Sequence, residues 1–355
     1  MALRLGAVGD LLLAGAGDAP RRPAFGPDLL ARLRACDLVF GNLECTLPGD
    51  GGRVETEPRV IATEGQVRAA LGAGVGVVTL ANNHTFDALE GGFHATRALL
   101  ERLGVAWFGA GDSLEEAARP AILEARGVRL AFLGAVDHRS GPSRLATPGG
   151  PGVAPMDLAR LAADIARLRR EVDHVVVSLH WGEERLPIPS PDQVREAHSL
   201  VRAGASLILG HHPHVVQGLE VFEGVPIAYS LGNCVACEVP FSGGDRLTWS
   251  RLERTGCLLT ADLDPGSVRL VAQTPTIDAG DRIEIDSSGF GDRRIRRADR
   301  ALARGVTLGR YRREYFIVKT LRPALSHLRW SRLKRLRPSG IGRALKGLWQ
   351  AGRAR

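Results

Sequence analysis

The chain alternates between short apolar runs and stretches with helical spacing, and almost every apolar run stops at a polar residue. Residues 3–8 lead to Gly9 and Asp10, residues 38–40 to Gly41, Asn42, Leu43 and Glu44, and residues 75–80 to Ala81, Asn82, Asn83 and His84, with Asp87 a little further on. Later, residues 175–179 lead to His180, Trp181, Gly182 and Glu183, residues 207–209 to Gly210 and a histidine loop, and residues 227–231 to Gly232 and Asn233. Short apolar runs bounded in this way read as buried strands. Helix signals fill the gaps. Thr63 with Gln66 and Ser113 with Glu116 have capping-box spacing. Ser190 precedes Pro191 and stands three residues before Gln193, a cap followed by proline at the first helical position. Leu158, Leu161, Ile165 and Leu168 recur at helical intervals. Strands alternating with helices predict an α/β protein with a largely parallel sheet, whose ligands sit beyond the carboxyl ends of the strands. Six strand ends then deliver Asp, Asn, Glu and His to one rim. Residues 256–263 and 268–273, joined by Asp264-Pro265-Gly266-Ser267, predict a hairpin at an edge of the fold.

The richest strand end is Gly210-His211-His212-Pro213-His214. Gly210 lets the backbone turn sharply out of the sheet, and Pro213 stiffens the loop between two imidazoles. Neutral imidazole is a ready ligand for transition metals, and two on a rigid loop lose little entropy on binding. Asp10, Glu44, His180, His212 and His214, with the amide oxygens of Asn42 and Asn83, make a mixed nitrogen and oxygen donor set. It suits one or two Mn, Fe or Zn ions better than a thiolate site would. Two such ions would activate a bridging water and neutralise a phosphoryl oxygen. His84, directly after Asn83, is placed to protonate a leaving oxygen. Taken singly, Asp10 also reads as a turn or helix cap and Asn82 as a turn residue. Trp181, His211 and Asn233 are the candidate substrate contacts, and for Trp181 stacking on a substrate and walling the pocket are equally open. Cys234 and Cys237 read as small buried residues rather than a redox or zinc pair.

Composition changes the picture mainly through charge. Of the 355 residues, residues 291–355 hold 20 Lys and Arg against 3 Asp and Glu, while the remainder hold 27 against 36. The expected organisation is therefore a mildly acidic domain over residues 1–285 and a basic extension over residues 291–355. In that extension Leu321, Leu325, Leu328, Leu333 and Leu336, then Ile341, Leu345 and Leu348, recur at near-helical spacing among arginines, with Trp330 and Trp349 near the face boundaries. Such a pattern predicts a segment that lies on an anionic membrane surface. Two other readings are leucines docked on the domain and, less favoured, nucleic-acid binding. Five scattered cysteines make no disulfide framework, and no apolar stretch is long enough to span a membrane. A strand begins within a few residues of Met1, leaving no room for a signal peptide. A cytoplasmic protein, peripheral at the inner face of the membrane, is expected.

These motifs carry a resemblance. Gly9-Asp10, Gly41-Asn42-Leu43-Glu44, Ala81-Asn82-Asn83-His84, His180-Trp181-Gly182, Gly210-His211-His212-Pro213-His214 and Tyr229-Ser230-Leu231-Gly232-Asn233 resemble, in order and spacing, the bacterial poly-γ-glutamate capsule-synthesis family, the CapA-like proteins. That family is in turn similar to the calcineurin-like metallophosphoesterases. The resemblance implies a four-layer αββα sandwich around a dinuclear metal site, with Asp10 as a first-strand ligand and Asn42 or Glu44 in the bridging place. It further implies Asn83, His180, His212 and His214 as ligands and His84 as the acid. Two positions depart from the phosphoesterase pattern. Leu12 stands where a second ligand, a His, is found, and Asn42 stands where the bridging carboxylate falls, so one metal is expected to be weakly held. Many relatives also carry an N-terminal membrane anchor, which is not found in this chain. Three functions follow: a metal-dependent hydrolase acting on a phosphorylated or anionic polymer in envelope polymer metabolism, a non-catalytic metal-binding member of a synthesis complex, and a nuclease. The acidic balance of residues 1–285 disfavours the nuclease.

Overall fold

The structure, a computed structural model, describes residues 2–15, 22–141 and 143–327. The chain first builds part of one sheet, then a second sheet, then returns to the first. β1 (Leu3–Leu12), β2 (Leu38–Asn42), β3 (Val77–Thr79) and β4 (Ala106–Phe108) are parallel neighbours. β5 (Ala121–Ala125), β6 (Val128–Val136), β7 (His174–His180), β8 (Leu207–His211), β9 (Leu219–Phe222) and β10 (Val225–Ala228) form the second sheet in the order β9-β10-β8-β7-β6-β5. β11 (Asn233–Ala236), β12 (Thr255–Asp264), β13 (Ser267–Asp278) and β14 (Ile283–Ile285) complete the first, ordered β14-β13-β12-β1-β2-β3-β4 with β11 also paired to β1. The hairpin expected from residues 256–273 is β12 and β13. It is not an edge element, because β12 pairs directly with β1 and the edge falls to β14.

Three apolar layers show how the sheets stack. Leu3, Leu5, Phe40 and Phe108 of the first sheet pack against Leu130, Phe132, Val176 and Leu209 of the second. On the outer face of the first sheet lie α1 (Pro27–Arg34), α2 (Glu64–Leu71) and α3 (Leu89–Arg102), through Leu29, Val67 and Phe93. On the outer face of the second lie α4 (Leu158–Leu168) and α5 (Pro191–Arg202), through Leu161, Ile165 and Leu200. This is the four-layer αββα sandwich. Local sequence explains the helix starts: Thr63 and Ser190 each close a reciprocal capping box, with Gln66 and Gln193, and Asp157 caps α4.

The compact first unit runs from Met1 to Tyr311, and Arg312–Arg355 forms a second. The change in charge at residue 291 therefore falls inside a helix of the first unit, α6 (Phe290–Ala303). One face of α6 buries Ile295, Ala298, Ala301 and Leu302, while Asp299 accepts from the Leu219 amide at 2.8 Å. Arg293, Arg296, Arg297 and Arg300 are exposed away from that face, so a basic composition and a docked helix coexist. Of the leucine pattern, Leu321 and Leu325 are described, and Leu325 is exposed. Leu328, Leu333, Leu336, Ile341, Leu345 and Leu348, with Trp330 and Trp349, lie outside the described residues. Among the described residues no helix is long and apolar enough to cross a membrane.

Candidate metal centre

β1 anchors the site. Its register sets Asp10 opposite Asn42 on one side and Asn233 on the other. The Asp10 amide donates to the Gly232 carbonyl at 2.9 Å, an approach only glycine permits next door, since a Cβ at Gly9 would lie 1.8 Å from that oxygen. Just beyond β2, the Glu44 amide donates to the Leu11 carbonyl at 3.2 Å, which holds its carboxylate over the end of β1. In the second sheet β7 and β8 end side by side, with His180 opposite His211. The chain then passes through His212 and His214 with φ of 92° and 55°. Non-glycine residues seldom occupy this left-handed region, at a cost of about 1–3 kcal/mol each, and they persist only where the surroundings fix them. Here the Trp181 amide donates to the His211 carbonyl at 3.2 Å and the Arg185 amide to the Pro213 carbonyl at 2.8 Å.

Donor atoms of Glu44, His212 and His214 all lie within 4.8 Å of one another, and the three residues are buried. Glu44 Oε1 is 3.7 Å from His214 Nε2 and 3.9 Å from His180 Nε2. Asn83 joins the group through its Oδ1, 2.8 Å from His180 Nε2. Glu44 Oε1, Asp10 Oδ2, His180 Nδ1, His211 Nε2 and His212 Nδ1 are buried without a hydrogen-bond partner among the described residues. Buried polar atoms are nearly always satisfied, so a cluster of unsatisfied acceptors converging from both sheets fits a metal ion. The proton affinities agree. Burial, reinforced by His212, keeps His180 well below its usual range, and burial with His214 nearby lowers His212 to about 4, so both are neutral and ready to ligate. Burial raises Glu44 well above the carboxylate range, and the Asp10 charge adds to it. For Asp10, the hydrogen bond from His211 and the nearby His214 imidazole overcome burial and hold it well below that range. His214 is pulled down by burial but raised more by Glu44 and Asp10, to about 10.

His84 sits beside the cluster, 7% exposed. Its Nδ1 is 2.7 Å from Asp87 Oδ2, and its Nε2 is 3.2 Å from Asn83 Nδ2. Three candidate substrate contacts take other places. Trp181 is fully buried, stacked on Tyr229 with centroids 6.0 Å apart, and its indole donates to the Tyr229 carbonyl at 3.1 Å. It walls the core behind the histidine loop. His211 and Asn233 are also buried: His211 Nδ1 is 3.1 Å from Asp10 Oδ1, and Asn233 Oδ1 is 3.0 Å from His214 Nδ1. Both orient neighbours in the cluster. Two residues gain roles that the sequence alone did not assign. Asn82 donates to Asn42 Oδ1 at 3.1 Å and the Leu43 carbonyl at 2.9 Å, pinning the turn after β3 to β2. Asp87 accepts from both His84 and the Val60 amide, the latter at 2.7 Å. The three-residue spacing of His84 and Asp87 is the signal that could have paired them.

The protein is thus an αββα sandwich with a histidine and carboxylate cluster at the carboxyl ends of strands from both sheets. The chain belongs to the bacterial capsule synthesis protein family PGA_cap, which it matches over residues 4–238. It is 34% identical over 205 residues to the PGA biosynthesis protein CapA of Bacillus subtilis (strain 168), covering 57% of this chain and 54% of that protein. With a probable polyglutamine synthesis accessory protein of Mycobacterium tuberculosis it shares 30% identity over 296 residues, 76% of this chain and 77% of that one. The chain thus spans about half the length of the Bacillus relative. Its fold is also similar to a solved structure described as a novel phosphatase from Mycoplasma pneumoniae, at a TM-score of 0.47 and 15% identity, over 81% of this chain and 96% of that one.

Proposed function

We propose that this protein is a metal-dependent hydrolase of the phosphoesterase type, acting on a phosphorylated or otherwise anionic polymer in poly-γ-glutamate or related envelope polymer metabolism. The observation that carries the reading is the His84–Asp87 pair set against the Glu44, His212 and His214 cluster. Glu44, His180, His212 and His214, with the Asn83 amide oxygen, would hold a Mn, Fe or Zn ion. When bound, such an ion supplies Lewis acidity and an activated water. Asp87 fixes the His84 ring by accepting from Nδ1, and Nε2, which accepts from Asn83 Nδ2 here, would take up a proton before handing it to a leaving oxygen. Asn83 keeps His84 and His180 in register, since its Nδ2 meets one ring and its Oδ1 the other. A second reading is a metal-binding member of a synthesis complex without turnover. It is favoured by Leu12, which is buried in the apolar layer under α1–α3 and offers no donor.

Metal content by mass spectrometry, on protein prepared without chelator, beside turnover on a panel of phosphomonoesters and phosphodiesters, separates these readings. The expected result is bound transition metal, lost in His212→Ala. His84→Asn keeps the metal and lowers turnover by about 10²–10⁴-fold. Metal without turnover on any ester supports the second reading. A folded protein that takes up no metal at micromolar concentration defeats both.

A further inference from the structure

The residues around Asp10 do not fit a second ion. Asn42 lies where a bridging carboxylate would be needed, and its Nδ2 donates to Asp10 Oδ1 at 2.9 Å and to Glu44 Oε2 at 3.2 Å. The orientation of this amide is fixed by its neighbours. Asn82 Oδ1 accepts from the His84 amide at 3.1 Å, which can only donate, and Asn82 Nδ2 gives to the Leu43 carbonyl at 2.9 Å, which can only accept. Asn82 Nδ2 also donates to Asn42 Oδ1, so Asn42 must turn its NH2 toward the two carboxylates. A flipped Asn42 would set NH2 against NH2 and oxygen against two acids. The remaining side of Asp10 faces imidazoles: His211 Nδ1 is 3.1 Å from Oδ1, and His214 Nδ1, which bonds Asn233 Oδ1, is 3.3 Å from Oδ2. Leu12, 1% exposed, supplies no donor where a histidine would be required.

We infer that this protein binds a single transition-metal ion, held by Glu44, His180, His212 and His214, and that the Asn42 amide occupies the place of a second cation between Asp10 and Glu44. This deepens the metal-binding reading above and rests on it. Asp10 is then not a ligand but a positioning residue, bonding His211 Nδ1 and facing His214 Nδ1, whose own hydrogen bond goes to Asn233 Oδ1.

Titration of the chelator-stripped full-length chain with Mn(II), read by equilibrium dialysis and by electron paramagnetic resonance, tests the inference. One ion per chain is expected at saturation, with the signal of an isolated Mn(II). Asp10→Asn should still bind one ion, about 10–100-fold more weakly, as expected when the partner of a ligating histidine is weakened. Asn42→Asp should admit a second ion, and adding Leu12→His should tighten it. Because Leu12 is buried and the double variant is at risk of not folding, the Asp10→Asn and Asn42→Asp results carry the test alone. Two ions per wild-type chain, a spin-coupled pair, or complete loss of metal in Asp10→Asn would overturn the single-ion arrangement while leaving metal binding intact. No ion in wild type would remove both.

Discussion

At the residue scale, ligands that hold protons couple metal binding to pH. In the metal-free protein Glu44 is raised by burial and Asp10, and His214 is held protonated up to about pH 10. An ion needs the carboxylate and the neutral imidazole, so binding near neutrality releases protons, and affinity falls as pH falls. His212, lowered to about 4, is neutral throughout that range and adds nothing to the slope. Calorimetry of Mn(II) binding in two buffers of unlike ionisation heat measures the release directly. Equal heats in both would contradict these protonation states. Asp87 gives a second expectation. Asp87→Asn should keep the bound metal and lower turnover by about tenfold or more, short of the loss in His84→Asn, because the ring remains but its carboxylate partner is gone. Sequence exposes some of these roles and hides others. His212, His214 and Glu44 announce themselves, since imidazoles and acids have little reason to end buried strands. Asn82 and Asp87 hide, because an Asn or Asp in a turn is ordinarily a turn former. Trp181 misleads, as an aromatic ring beside a ligand reads equally as a stacking surface and as core.

At the scale of elements, the site depends on how closely strands cross. Gly210 lies under the Tyr229 carbonyl, where a Cβ would come within 2.0 Å, as Gly9 lies under Gly232. The obstacles are backbone atoms and cannot rotate away. Gly9→Ala or Gly210→Ala should destabilise the fold by about 3 kcal/mol or more, at the upper end of overpacking costs. Gly51→Ala, with nothing within 4 Å, should change stability by less than about 0.5 kcal/mol. Denaturant unfolding of the three variants compares them, and equal midpoints would refute the packing argument. All six strands marked by polar ends are present, because apolar runs bounded by glycine and asparagine have few alternatives. β6 is not marked in this way, and the Asp137 that follows it is taken up by Arg139, so it adds no donor to the cluster. Nor does periodicity divide the strands between two sheets: β1 pairs with β12 through Leu3 and Leu263, a contact that no local pattern encodes.

For the whole molecule, α6 is where charge meets the site. Arg293, Arg296, Arg297, Arg300 and Arg304 are exposed, and four of them line one stripe at intervals of four, three and four residues. The opposite side of the helix backs the histidine loop: Arg294 donates to the Val216 carbonyl at 3.3 Å, and Leu302 and Ala298 pack on Gly218. The full chain is expected to sediment with phosphatidylglycerol vesicles and not with phosphatidylcholine vesicles, because each arginine near an anionic surface contributes about 1 kcal/mol. Replacing Arg293, Arg297, Arg300 and Arg304 by glutamine should weaken that binding, and unchanged sedimentation would exclude α6 from the contact. Burial of the cluster also has a consequence in time. Glu44 is 0% exposed, His180 1%, and His212 and His214 4% each. With so little ligand surface exposed, loss of an ion to a chelator should be slow and should follow the opening of the His212–His214 turn. Chain that folds in a manganese-rich medium should then keep manganese through a later exposure to zinc, and the metal recovered with it records the medium in which it folded.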